Sequence, residues 1–143
     1  MVCLGNICRS PIAEGILKSK LPEKTFEVDS AGTEGFHIGR SPDPRSIEIA
    51  AQNGINISKQ TARKFIREDF KRFDRVYVMD RSNLKNIKQI AITEEEVNKV
   101  ALLLENKEVP DPYYGNDNEF KKMFDLIDNA CERISKKLLN SKS

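Results

Sequence analysis

The sequence predicts an α/β domain in which a parallel sheet of four strands is covered on both faces by helices. Three observations lead there. Short strand-like segments alternate with longer segments whose apolar residues recur at helical spacing. The run Arg75-Val76-Tyr77-Val78-Met79 is unbroken apolar sequence after a charge, as a strand buried on both faces requires. The stretch Cys3-Leu4-Gly5-Asn6-Ile7-Cys8-Arg9-Ser10-Pro11 has the composition of a tight loop opening a helix, the place where open parallel sheets hold ligands. At 143 residues the chain fits a single domain, residues 1–143. That length buries roughly 68% of the unfolded surface, so neither disulfides nor a metal are needed for stability.

Taken in order, only Met1 and Val2 precede Cys3, so the first strand is predicted to be cut short. Ser10 suits a helix cap and Pro11 the first helical position. Ile12, Ala13, Ile16, Leu17 and Leu21 then mark the buried face of a helix that Pro22 ends. Thr25 to Ser30 alternates as a strand does and runs into Ala31-Gly32-Thr33. Gly35, Gly39 and Pro42 make the next segment irregular. Asp43-Pro44 reads as a cap and first helical residue, with Ile47, Ala50 and Ala51 facing inward and Gly54 as the stop. A short helix is expected over Arg67 to Arg72, and the strand at Arg75 to Met79 follows it. Asp80 and Ser82 offer caps for a helix through Leu84, Ile87 and Ile90, and Thr93 with Glu96 fits a capping box. Val100 to Leu104 is the last strand. Phe120, Met123, Phe124, Ile127, Cys131, Ile134 and Leu138 then hold one face of a long final helix.

The chemistry is concentrated in the Cys3–Pro11 loop. A loop that turns its backbone N–H groups inward makes an anion nest, and the helix behind it adds a positive dipole end. Leu4, Gly5, Asn6, Ile7, Cys8, Arg9 and Ser10 would form the phosphate cradle, with Gly5 and Asn6 supplying positive φ where the loop turns. The same field favours a thiolate at Cys3, a nucleophile at neutral pH. Arg9 offers a planar fork to two phosphate oxygens.

The remaining composition is restrictive. Charged residues are 32% of the chain but of mixed sign, and a net charge of +2 is too mild to imply a nucleic-acid partner. No run approaches the roughly 18 apolar residues of a membrane span, and no basic-then-apolar leader is present. Three cysteines without CxxC or a His/Cys cluster argue for a reducing compartment and against structural zinc. A cytoplasmic, monomeric protein without metal or other cofactor is expected.

Transfer of a phosphoryl group from an ester to Cys3 needs an acid for the leaving oxygen and later a base for water. Val109-Pro110-Asp111-Pro112-Tyr113-Tyr114-Gly115 supplies the candidate, a carboxyl on a stiff loop beside two aromatics, although such an Asp is more often a turn residue. The pairing of CLGNICRSP with a late DPYYG motif resembles the low-molecular-weight protein tyrosine phosphatases. So do DSAGT at Asp29 to Thr33, GFHIG at Gly35 to Gly39, PDPR at Pro42 to Arg45 and MDRSNL at Met79 to Leu84. The resemblance covers essentially the whole chain. It implies a flavodoxin-like three-layer fold and cofactor-free hydrolysis of phosphotyrosine proteins and aryl phosphates through a cysteinyl-phosphate. In that reading Cys3 is the nucleophile, Arg9 the phosphate binder and Asp111 the general acid and base. Ser10 stabilises the thiolate, Asn6 holds the loop through contacts that include Ser30, and Phe36 and Tyr113 wall the substrate pocket. The resemblance also implies a reversible disulfide between Cys3 and Cys8. A small packing role for Cys8 is the alternative.

Members of that family carry further apolar residues ahead of the nucleophile, so an apolar N-terminal extension is expected to raise the melting temperature. Many also have a histidine near the position of Gln60, where it helps brace the loop asparagine. His37 is expected at the pocket rim rather than in catalysis, and Cys131 in the core. Thiol arsenate reductases need a further redox cysteine pair that this chain lacks. Protein-arginine phosphatases resemble the loop but carry Thr at the position of Ile7. A phosphopeptide-binding module without turnover would not require both Cys3 and Asp111, and no nucleotide-binding glycine pattern occurs.

Overall fold

The computed structural model describes residues 1–142. Its sheet is built from β1 (Val2–Cys3), β2 (Ala31–Gly32), β3 (Val76–Val78) and β4 (Val100–Leu102), in the spatial order β2-β1-β3-β4. All pairs are parallel: Val2 lies opposite Ala31 and Val78, and Val76 to Val78 run alongside Val100 to Leu102. The chain moves one way from β1 to β2 and the other way to β3. Cys3 therefore ends the strand at which the direction of winding switches, where loops diverge and leave a crevice.

Helices cover both faces. α1 (Arg9–Lys20), α2 (Pro44–Gln52) and α6 (Asp117–Lys142) pack together on one side, burying Ile12, Ile16, Phe120, Met123 and Ile127 against Cys3 and Met79. On the other, α3 (Asp69–Arg72) and α4 (Arg81–Ile90) place Phe70 and Ile87 over Val2, Val76, Val78 and Leu102. α5 (Glu94–Asn98) precedes β4 and carries the expected capping box between Thr93 and Glu96. Asp43 and Asp80 cap α2 and α4, each accepting from a backbone N–H of the first turn. No helix among the described residues is long and apolar enough to cross a membrane.

Two local expectations fail for identifiable reasons. Ser10 does not cap α1, which begins at Arg9 with Cys8 at the cap and no side-chain cap bond; the Ser10 hydroxyl is committed elsewhere, as described below. Thr25–Ser30 is irregular rather than a strand, and the segment that pairs with β1 is Ala31–Gly32. A ladder needs a neighbour. The Met1 ammonium donates to the carbonyl of Asp29 at 3.0 Å, and the Met1 carbonyl accepts from Ala31 N–H at 3.0 Å, so pairing reaches the chain's first residue. Beyond it, a cavity of about 510 Å³ separates Thr25–Asp29 from Phe73–Tyr77, with Leu17, Leu21 and Phe65 also in its lining.

Candidate active site

The loop from Cys3 to Ser10 has its carbonyl groups tied outward. The carbonyls of Cys3 and Leu4 accept from Thr33 and Glu34 N–H at 2.8 and 3.0 Å, and that of Ile7 accepts from Asp43 N–H at 2.8 Å. The Cys8 carbonyl accepts from the Ser46 hydroxyl at 3.2 Å. The backbone N–H groups of Leu4 to Cys8 donate to no group among the described residues. Unpaired amides are costly in a folded interior unless an anion or water takes them, which is the signature of an anion nest. Asn6 makes the turn with φ of 58°, as expected, whereas Gly5 does not adopt positive φ. Gly32 lets the loop lie against β2: a Cβ there would stand 2.8 Å from the Leu4 carbonyl oxygen.

Behind the nest a polar chain leads to the sulfur of Cys3. Arg63 N–H donates to Asn6 Oδ1 at 3.0 Å, which orients the Asn6 amide so that Nδ2 faces Ser10 Oγ (2.7 Å) and Ser30 Oγ (3.0 Å). Ser30 in turn donates to Glu14 Oε1 at 2.7 Å. Both serine hydroxyls thus accept from Asn6 and keep their own hydrogens to give. Ser10 Oγ lies 3.0 Å from Cys3 Sγ, a contact in which the hydroxyl accepts from a thiol or donates to a thiolate. The chain ends on a buried carboxylate, Glu14, whose other oxygen accepts from Lys18 Nζ at 2.8 Å. The structure brings Asn6, Ser10 and Ser30 together. Glu14 and the Arg63 backbone were not foreseen, since one lies on an otherwise apolar helix face and the other acts only through its main chain. Gln60 does not brace Asn6: its amide donates to the Pro11 carbonyl at 3.1 Å.

Arg9 is 2% exposed. Its Nη1 donates to Asp80 Oδ2 at 2.8 Å and to the Val109 carbonyl at 2.9 Å, and its Nη2 stands 3.6 Å from Asp111 Oδ2. Burial works against the guanidinium charge, but Cys3, Asp80 and Asp111 outweigh it and raise its pKa. The sequence marks Asp80 only as a helix cap. It caps α4 with Oδ1 while Oδ2 aims the arginine. The Cys8 thiol has its pKa pushed up to about 12, chiefly by burial and then by the charge of Asp43. Cys3, Cys8 and Cys131 are all free thiols.

These groups open onto a cavity of about 310 Å³. Cys3 and Arg9 lie at its floor, Asp111 at its side, and Phe36, His37, Tyr113 and Tyr114 around its mouth. Phe36 and Tyr113 line this cavity at 68% and 38% exposure, and His37 sits at the rim. Tyr114, 97% exposed, stands edge-on to Tyr113 with ring centroids 4.9 Å apart. A thiol on an anion nest, an arginine fork and a carboxyl 3.6 Å from that fork form a site suited to phosphoryl transfer from an ester with a flat leaving group.

Comparison with known proteins agrees with that chemistry. The family model described as "Low molecular weight phosphotyrosine protein phosphatase" matches residues 1–143. A protein of that name from Schizosaccharomyces pombe is 42% identical over 130 residues, spanning 83% of this chain and 82% of its own. The Homo sapiens protein of that name is 35% identical, with 95% and 92% covered. Among solved structures, a protein tyrosine phosphatase from Entamoeba histolytica with Hepes in its active site superposes with a TM-score of 0.91 at 33% identity, over 99% of this chain and 96% of that one. The tyrosine phosphatase Wzb from Escherichia coli K30, in complex with sulphate, gives 0.86 at 34% identity, over 96% and 94%.

Proposed function

The chain belongs to the low molecular weight phosphotyrosine protein phosphatase family, and from that premise we propose that it hydrolyses phosphotyrosine in proteins, and simple aryl phosphates, through a cysteinyl-phosphate. The phosphate would lie on the Leu4–Ser10 amides with two of its oxygens on Arg9. Cys3 Sγ attacks phosphorus as the bond to the tyrosyl oxygen breaks, and Asp111 gives that oxygen its proton. The tyrosine leaves, stacked until then between Phe36 and Tyr113. Asp111, now a carboxylate, takes a proton from water whose oxygen attacks phosphorus. The S–P bond breaks, the thiolate is restored with Ser10 donating to it, and phosphate departs. Positive charge for the transition state comes from Arg9 and the loop amides, so no step calls on a metal or another cofactor. Where a peroxide has oxidised Cys3 to the sulfenic acid, the Cys8 sulfur would attack the Cys3 sulfur, the S–O bond breaking to release water, and the resulting disulfide would spare Cys3 further oxidation until a thiol reduces it.

The observation that carries this reading is the row of unpaired amides from Leu4 to Cys8 around Cys3, with Arg9 held by Asp80 beside them. The test is turnover of an aryl phosphate and a phosphotyrosine peptide at mildly acidic pH, in excess chelator with a thiol reductant. Chelator-resistant turnover that vanishes in Cys3→Ser and falls by about 10²-fold or more in Asp111→Asn is expected. Phosphopeptide binding without turnover by the wild type would leave a binding module instead.

A further inference from the structure

Pro42–Arg45 takes no part in the reaction just described, yet it touches both halves of the site. On one side, the first turn of α2 is joined to the phosphate loop through Asp43 N–H on the Ile7 carbonyl and Ser46 Oγ on the Cys8 carbonyl. On the other, Arg45 reaches the loop that bears Asp111. Its Nη2 donates to the Tyr113 carbonyl at 2.9 Å and its Nη1 to the Gly115 carbonyl at 3.4 Å. The guanidinium lies over the Phe120 ring at 4.4 Å and near the Tyr113 ring at 5.7 Å.

The arginine is itself held. Asp43 Oδ1 accepts from Arg45 N–H at 2.8 Å and Nε at 3.0 Å, and Oδ2 from Nη2 at 2.8 Å. The hydrogen bonds from Arg45 keep the Asp43 carboxyl ionised below its usual range, against the effect of burial. By contrast, the acid loop does little to hold itself. Tyr113 N–H donates to Asp111 Oδ1 at 3.1 Å and Gly115 N–H to the Pro112 carbonyl at 2.8 Å, both within the loop. Among the described residues, the only hydrogen bonds that tie 111–115 to the rest of the protein are those from Arg45. The Asp111–Arg9 ion pair, at 3.6 Å, is the other polar link.

We propose that Asp43 and Arg45 form a bracket that sets the acid-bearing loop at its working distance from the cysteine loop, with Arg45 a positioning residue for Asp111. The inference rests on the phosphatase reading above and adds to it the device that aligns its two halves. Arg45 touches neither phosphate nor the reacting atoms. Its loss lets Asp111 drift from the leaving oxygen while Cys3, Arg9 and the amide nest stay in place.

The test is kcat/KM for a series of aryl phosphates of graded leaving-group pKa, in wild type, Arg45→Ala, Arg45→Lys and Asp43→Asn, each also combined with Asp111→Asn. Asn still caps α2 but cannot hold the guanidinium on both oxygens, and Lys keeps the charge without the fork. These two carry the test if Arg45→Ala does not fold. Arg45→Ala is expected to lose roughly 10- to 100-fold on poor leaving groups and under about 3-fold on the best ones, because good leaving groups need no acid. In the Asp111→Asn background it should lose almost nothing more. Amide exchange across Tyr113–Gly115 should quicken in the variant irrespective of turnover. An equal loss for every leaving group, full additivity with Asp111→Asn, or unchanged exchange would each overturn the bracket. Wild type and Cys3→Ser in the same series judge the phosphatase reading separately: an inactive wild type removes that reading and the positioning role together, whereas an active one with a flat Arg45 response removes only the latter.

Discussion

The two ends of β1 are built on opposite plans. At its C-terminal end the Cys3–Ser10 loop is fixed from several directions: by Thr33 and Glu34 beyond β2, by Asp43 and Ser46 of α2, by Arg63, and by the Asn6–Ser10–Ser30–Glu14 chain. At its N-terminal end lies the partly buried Met1, with desolvation lowering the pKa of its ammonium, beside a cavity of about 510 Å³. The hydrogen bonds that hold the Cys3–Ser10 loop come from neighbours that arrive from other parts of the chain, whereas the contacts at the other end of β1 bear on stability.

The largest break in that contrast should come from Asn6→Ala. It removes the acceptor for Arg63 N–H and both donations to the serines at a residue with φ of 58°. Several buried partners are left unsatisfied, so a loss of about 3 kcal/mol in urea unfolding is expected, with turnover of an aryl phosphate down by roughly 10²-fold. A variant that keeps near-wild-type turnover would show that the loop is held by something other than this chain. The opposite end should respond in stability alone. A five-residue valine- and isoleucine-based extension joined to Met1 would replace the ammonium with a peptide and lay apolar side chains against Leu17, Phe26 and Phe65. The melting temperature should rise by roughly 5–10 °C, as burial of two or three such side chains implies. A glycine-serine extension of equal length also turns the ammonium into a peptide but brings no apolar side chains, so it should raise the melting temperature by less. Turnover that climbs in step with stability would mean that the strand does stiffen the loop, and the contrast would fail.

How much of this was legible in the sequence follows the same division. That the Cys3–Pro11 loop, Arg9, Asp111 and the aromatics Phe36 and Tyr113 share one cavity is legible because short contiguous motifs encode them. The helices were readable because their caps and apolar spacing are local: Asp43, Asp80 and the Thr93–Glu96 box sit where expected. What escaped was encoded by contact across the fold. Thr25–Ser30 alternates like a strand, yet its local bonds are of another kind: the Thr25 and Phe26 N–H groups turn back to the Pro22 carbonyl. Ser10 looks like a cap, but the sulfur of Cys3 and the amide of Asn6 claim its hydroxyl. Asp80 shows only its capping role until β3 delivers it to Arg9, 71 residues away in the chain. Glu14 on an apolar helix face gives no local sign that it terminates a polar chain behind the thiol.

The smallest expected effect distinguishes the two ends by pH. Cys8, in the catalytic loop, and Cys131, under α1 with its sulfur 3.8 Å from the Ala13 carbonyl, each have a pKa raised to about 12, chiefly by burial. In the unfolded chain a thiol ionises near 8.5. Because the folded values are raised, the protonated thiols contribute stability that is fully present below about pH 8.5 and is lost as pH rises toward the folded values. At pH 10 each thiol should account for a loss of about 2 kcal/mol relative to pH 8, by the linkage relation. Tyrosines and lysines titrate in the same range, so the measurement is a difference: urea midpoints from pH 7 to 10 for wild type, Cys8→Ala and Cys131→Ala. Each variant should show a shallower alkaline decline whatever its stability at pH 7. If only Cys131→Ala flattens the curve, then the Cys8 environment opens to water on the way to alkaline pH, and the catalytic loop is less firmly held than its hydrogen bonds indicate.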